Sequence, residues 1–197
     1  MNTLYEFMPK RSTKREIALL AILAGAAAGL FAVPMIFRDM QIQGLFQASA
    51  FVCICGAIWI FAEFLSKDRL YSLVEDEDGR VLFVVTDLMS KGKKADTACR
   101  IALDNIERVE VFDNLSENDV KRKKEFVKMA KKDGRKRYSF YPELAPALIC
   151  SVWLEMKSEK LQINIIADKY LVEKLCQAAE DNKNKADADT DTDIAEE

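Results

Sequence analysis

The chain has 197 residues, with 32 acidic and 29 basic side chains, a formal net charge of −3 and no histidine. The missing histidine excludes Ser-His and Cys-His nucleophilic machinery and every His-containing zinc site; the five cysteines, an odd number, argue against a disulfide framework. A mean hydropathy of −0.09 averages a hydrophobic front with a charge-rich remainder, so the two parts are read separately.

Residues 1–15 form a basic N-terminal segment carrying Lys10, Arg11, Lys14 and Arg15. Two uncharged apolar runs follow, Ile17–Phe37 and Gly44–Ala62. The first has roughly 21 residues, which at about 1.5 Å each matches the ~30 Å hydrocarbon layer of a bilayer. The pattern predicts a transmembrane helical hairpin over 16–66, with spans at about 17–37 and 44–65. The charged residues between the runs are Arg38 and Asp39 alone, while Lys67 and Arg69 follow the second. The positive-inside rule then puts both termini in the cytoplasm, joined by a short external loop near 38–43, and makes this a multi-pass inner-membrane protein. The basic start and Ala24-Gly25-Ala26 also imitate a cleavable signal peptide. The apolar run continues well past that point, which favours a retained span.

Small residues recur every fourth position, as Ala21, Gly25 and Gly29 in the first span and Ser49, Cys53 and Ala57 in the second. Such rows let helices approach closely in lipid. The expectation is that the two spans pack on each other, with a homodimer through the Gly25-Gly29 face as the alternative. Pro34 reads as a kink or helix terminus, and Glu63 as an interfacial partner for Lys67. Cys53 and Cys55 point about 200° apart on a helix and cannot grip one metal.

Residues 67–181 read as one domain. Leu70–Val74 and Arg80–Thr86 flank Asp76-Glu77-Asp78-Gly79, a hairpin signal. Thr97–Leu103 and Arg108–Phe112 are weaker strand candidates, and Arg137–Tyr141 is an aromatic strand ended by Pro142. Leu148–Met156 and Leu161–Ile166 form the clearest hairpin, turning at 157–160, and the alternation of Leu161, Ile163 and Ile165 with Gln162 and Asn164 predicts one buried and one wet face. A helix over Glu117–Asp133, capped by Ser116 and stopped by Gly134, is inserted between strands. A second begins with Asp168 as cap and carries Leu171, Val172, Leu175, Cys176 and Ala179 on one face. The expected fold class is α+β: a transmembrane α-hairpin, an antiparallel β domain with a basic inserted helix, and a C-terminal helix.

Tyr71-Ser72-Leu73 leading to Asp78-Gly79, Gly92-Lys93-Lys94, Cys99-Arg100-Ile101-Ala102-Leu103 with Ile106 and Val109, Tyr138-Ser139-Phe140-Tyr141, and Ala167-Asp168 carry a resemblance. The layout over Ile17–Asp181 resembles small bacterial membrane proteins with two spans and a cytoplasmic pleckstrin-homology-like (PH-like) domain. That resemblance implies the same fold and transfers no catalytic residue. Lipid-binding PH domains place basic residues between their first two strands, where this chain has Asp76-Glu77-Asp78, which argues against phosphoinositide recognition by that route.

Between Glu117 and Arg137 stand ten basic residues, Lys121, Arg122, Lys123, Lys124, Lys128, Lys131, Lys132, Arg135, Lys136 and Arg137, against four acidic ones, a net of +6. This is the candidate binding patch, for anionic membrane lipid or an acidic protein. Few aromatic residues interleave it, which disfavours nucleic acid. The tail 182–197 is acidic and of low complexity, and reads as disordered and able to shield the patch. Its alternating Asp187, Asp189, Asp191 and Asp193 lack the glycine and final glutamate of a calcium loop. No catalytic residue, metal site, cofactor or small-molecule substrate is expected. The sequence reading is a non-enzymatic, membrane-anchored adaptor, with an accessory subunit of a transport or envelope complex as the alternative.

Overall fold

The computed structural model describes residues 2–10, 12–36, 43–89, 94–156 and 159–194, with the side chains of Lys94 and of 185–194 left aside. The loop expected at 38–43 up to position 42, Gly92-Lys93 of the resemblance, the turn residues 157 and 158, and the last three positions lie outside the described residues. Two helices, α1 (Lys14–Ile36) and α2 (Gln43–Ile60), lie side by side as a hairpin, and α2 ends in one π turn over Phe61–Leu65. Both helical segments are long and apolar enough to cross a membrane. Only 11% of either apolar window is buried, unlike a core helix of a soluble protein, and Ile22, Phe31, Met35, Leu45, Phe51 and Val52 face outward.

The hairpin is framed by strands. Strand β1 (Asn2–Phe7), just before α1, pairs antiparallel with β2 (Lys67–Glu75), just after the π turn. Both outer ends of the hairpin are therefore rooted in one sheet, and α1 and α2 return the chain to the side it left. The N-terminal segment thus holds a strand that sequence reading missed. The sheet continues with β3 (Val81–Met89) and β4 (Lys94–Ala102), in the order β1-β2-β3-β4. Gly79, at φ 75°, closes the β2–β3 turn in the left-handed region expected of its Asp-Gly step.

A 3-10 turn at Leu103–Asn105 carries the chain to a second sheet, made of β5 (Ile106–Asp113), β6 (Lys136–Ser139), β7 (Leu148–Met156) and β8 (Glu159–Ile165) in the order β5-β7-β8-β6. The β6–β8 pair is parallel, an exception to the all-antiparallel expectation, because α3 (Glu117–Lys132) returns the chain before β6 begins. Tyr71, Leu73, Phe83 and Ile101 of the first sheet meet Cys150, Val152, Leu161, Ile163 and Ile165 of the second, and α4 (Lys169–Ile194) closes this core with Leu171 and Leu175. Its cap is Asp168, whose Oδ1 accepts from Leu171 N–H at 2.9 Å.

Helix α3 covers the opposite face of the second sheet, where Phe126 and Ala130 pack on Phe112 and Trp153. This corrects the expected wet face: Gln162 and Asn164 are as buried as the neighbouring Ile163 and Ile165, and Ser151 Oγ donates to Asn164 Oδ1 at 2.6 Å. The alternation read correctly which residues share a face, and the inserted helix dries the polar one. The tail also differs, since α4 stays helical as far as Ile194.

Chain direction gives the domain a near end, at the hairpin, and a far end. β2 leaves the hairpin and its turn at 76–80 is far; β5 runs back, ending where Asn114 N–H donates to Ala147 O at 2.7 Å beside the base of α1. Helix α3 therefore starts near and ends far, where Arg135 reaches Glu107 at the start of β5.

Candidate interaction surface

Helix α3 forms where the sequence places its caps. Ser116 Oγ accepts from Asp119 N–H at 3.5 Å, and beyond the C-terminus Gly134, at φ 70°, lets Arg135 N–H reach Ala130 O at 3.0 Å. Its inward side is Val120, Lys123, Phe126, Val127 and Ala130. Lys121, Lys124, Lys128, Lys131 and Lys132 recur at three- and four-residue steps and fall within an arc of about 100° facing out. These five lysines, with Arg137 on β6, are exposed and have no ion pair among the described residues.

The other four of the ten predicted patch residues are spoken for. Arg122 bridges Glu110 at 2.8 Å and Asp119 at 3.0 Å. Lys136 pairs with Glu159, which holds its ammonium above the ordinary lysine range. Lys123 is half-buried and donates to Asn114 Oδ1 at 3.0 Å; burial, and then the nearby Arg137, lower its pKa. Arg135 does not belong to the surface at all. Its side chain is 1% exposed, lies 4.4 Å over the Trp153 ring, donates to Leu154 O, and meets Glu107 and Asp133. The predicted patch is thus split into a stripe of free cations and a set of cations that hold the fold.

A cavity of about 360 Å3 opens at the far end of the stripe between Lys131, Arg137, Val127 and the buried Gln162, whose Oε1 has no partner. The first turns of α4 do not lie on this surface, because Leu171 and Leu175 hold them to the opposite face of the sheet. The aspartates and glutamates expected to shield the patch, from Asp187 to Glu197, have side chains outside the described residues.

Within the hairpin, Ala21, Gly25 and Gly29 face away from α2, and a Cβ on either glycine would meet nothing within 4 Å. The α1–α2 contact runs instead through Leu23, Ala27 and Pro34 on α1 against Ala50 and Gly56, with Ser49, Cys53 and Ala57 half-buried beside it. The expectation that the first glycine row packs the hairpin is corrected. The row is offset around α1 from the side that turns to α2.

At the near end Glu63 meets Lys67 at 3.3 Å, as its spacing predicts, but it also pairs with Arg69. Arg69 is 5% exposed, bonds Asp87 at 3.2 Å, and donates to Tyr141 O over the Phe140 ring. Sequence reading took Arg69 only as a topology-setting charge. Its signal was parity: Arg69 shares the inward face of β2 with Tyr71 and Leu73. Among the described residues no group of three or more acidic or cysteine side chains is placed to hold a metal. Searches against family models, curated proteins and solved structures match nothing.

Proposed function

We propose that the chain is a non-enzymatic adaptor, anchored in the inner membrane by the α1–α2 hairpin, that presents a PH-like domain at the cytoplasmic face and binds an acidic protein segment along the lysine stripe of α3. The cytoplasmic placement rests on Lys10, Arg11, Lys14 and Arg15 before the apolar run of α1 and on Lys67 and Arg69 after α2. Retention of α1, rather than cleavage, is supported by β1, which would be lost from the first sheet with any signal peptide. Two packed sheets closed by a C-terminal helix support the PH-like assignment, to which β1, α3 and the parallel β6 are additions.

The observation that carries the binding role is the exposed row Lys121, Lys124, Lys128, Lys131 and Lys132, left unpaired while neighbouring cations are neutralised. A protein partner is favoured over lipid by direction. Helix α3 has 16 residues and extends about 24 Å away from the hairpin end. The field of an anionic membrane fades over about 8 Å, so it reaches only the first turns of this stripe. The β2–β3 turn, the usual lipid-binding position of PH domains, is both acidic and at the far end.

The test is photo-crosslinking in native membranes from residues 124 and 128 of the full-length chain. The expected result is adducts to one protein, lost when Lys121, Lys131 and Lys132 are changed to Glu. Adducts confined to phospholipid would move the assignment to lipid, and none above background would remove the stripe as a binding surface.

The outward row Ala21, Gly25 and Gly29 favours a second reading, an accessory subunit whose α1 contacts a helix of another membrane protein or of a second copy. Disulfide crosslinking from Gly29→Cys distinguishes these: products with a multispan partner support the subunit, and self-products a homodimer.

A further inference from the structure

A cavity of about 670 Å3 lies at the base of α1, between Lys10, Ser12, Arg15 and Glu16 on one side and the loop 143–147 on the other. Glu16 is its unusual member. It is 2% exposed, its Oε1 accepts from Leu144 N–H at 2.7 Å, and its Oε2 is buried with no hydrogen-bond partner. No cation is paired with it among the described residues, although a carboxylate removed from water is costly until a cation meets it. Arg15, its neighbour, makes one long contact among the described residues, to Ala145 O at 3.5 Å, and Glu143 takes a 3.4 Å bond from Ser12 N–H. The cavity therefore joins two cationic side chains, Lys10 and Arg15, to two carboxylates, one of them buried and unsatisfied.

Depth says what ligand is at hand. Ile17, the residue after Glu16, opens the apolar run and is 54% exposed. Arg15 and Glu16 thus sit where hydrocarbon gives way to the headgroup layer, about 5–8 Å thick on each side of a bilayer. We propose that this cavity binds the headgroup of an ethanolamine phospholipid, its phosphate on Lys10 and Arg15 and its primary ammonium on Glu16 Oε2 and Glu143. The ammonium offers three N–H donors to an oxygen that lacks one. A choline headgroup carries the same charge with no N–H to give, and a glycerol headgroup brings no cation. The inference is separate from the α3 stripe and rests only on the reading of α1 as a membrane span.

The test is native mass spectrometry of the full-length chain released from nanodiscs holding equal parts of phosphatidylethanolamine, phosphatidylcholine and phosphatidylglycerol with matched acyl chains. The expected result is one retained lipid, with ethanolamine preferred over choline by about tenfold, the order of one hydrogen bond to a charged group. Glu16→Gln should bring that preference within about twofold, and Arg15→Ala should weaken retention of both zwitterionic lipids. Should Glu16→Gln fail to fold, the wild-type chain answers alone: retention should fall stepwise through the N-methyl and N,N-dimethyl headgroups as donors are removed. Excess water-soluble glycerophosphoethanolamine should leave the bound lipid in place, and its displacement of that lipid would overturn the membrane source. Equal retention of choline lipid, preferred retention of the glycerol lipid, or an unchanged preference in Glu16→Gln overturns the proposal. Carbonate extraction, scored separately on native membranes, distinguishes failure of headgroup recognition from failure of the membrane reading.

Discussion

Arg69, at the near end of the domain, is 5% exposed and joins Glu63, Asp87 and Tyr141, whereas Lys124 and Lys128, midway along α3, are exposed and pair with nothing among the described residues. Arg69 joins elements far apart in sequence, linking the end of α2 to β3 and to the loop before β7, and at the far end Arg135 likewise links the end of α3 to the first residues of β5. The lysines of α3 are held on a scaffold that does not need them. A buried cation is retained because its removal strands its partners, and an exposed unpaired one contributes little to folding. The difference separates charge that builds the molecule from charge it has to offer.

The sharpest way to break this comparison is to remove the building charges. Arg69→Met keeps the volume and leaves Asp87 and Glu63 without their guanidinium, so the full-length chain in detergent should lose about 3 kcal/mol in urea unfolding followed by tryptophan fluorescence. Arg135→Met should cost less, about 2 kcal/mol, because Glu107 and Asp133 reach solvent once released and the loss is mainly the bond to Leu154 O and the stacking on Trp153. If either change left the unfolding midpoint where it was, that arginine would belong with the lysines of α3.

The contrast between these regions also measures how far residue order alone carries. Local signals came through well: the strand Leu148–Met156 has the predicted ends, α3 starts at Glu117 and stops before Gly134, and Asp168 caps α4. What failed to come through depends on partners remote in the chain. Strand β1 is six residues with no turn beside it, and its pairing partner lies beyond the whole α1–α2 hairpin. Burial of Gln162 and Asn164 depends on α3, inserted two strands earlier, and the parallel β6 follows from the same insertion. Of the candidate patch, the five lysines follow from helical spacing. Arg135 could not, because Gly134 turns the chain inward just before it.

A second test acts on phenolic side chains rather than on cations. Tyr5 donates to Asp168, and that bond, then burial, pushes its pKa up to about 12; burial does the same to Tyr141, also to about 12, and raises Tyr71 as well. The folded state thus holds these phenolic protons more tightly than the unfolded chain, whose tyrosines titrate near 10. Their contribution is whole below pH 10 and is lost as pH climbs from 10 to about 12. Unfolding midpoints taken across that window should fall steadily, and Tyr141→Phe should flatten the decline. A level profile in the wild-type chain would mean that these contacts do not stabilise the fold.

The smallest expected effect is the most discriminating. Changing Lys121, Lys124, Lys128 and Lys131 together to Ala removes four charges from one helix face while keeping good helix formers at each position. Since none of the four is buried or paired among the described residues, the unfolding midpoint should move by no more than about 2 °C. A slight rise is as consistent as a slight fall, because the substitution also relieves repulsion between like charges three and four residues apart. A loss as large as that of Arg135→Met would show that the stripe is woven into the fold. It would then have to be reclassified with the buried arginines, and the binding surface sought elsewhere, at the cavity that Gln162 floors between α3 and β6.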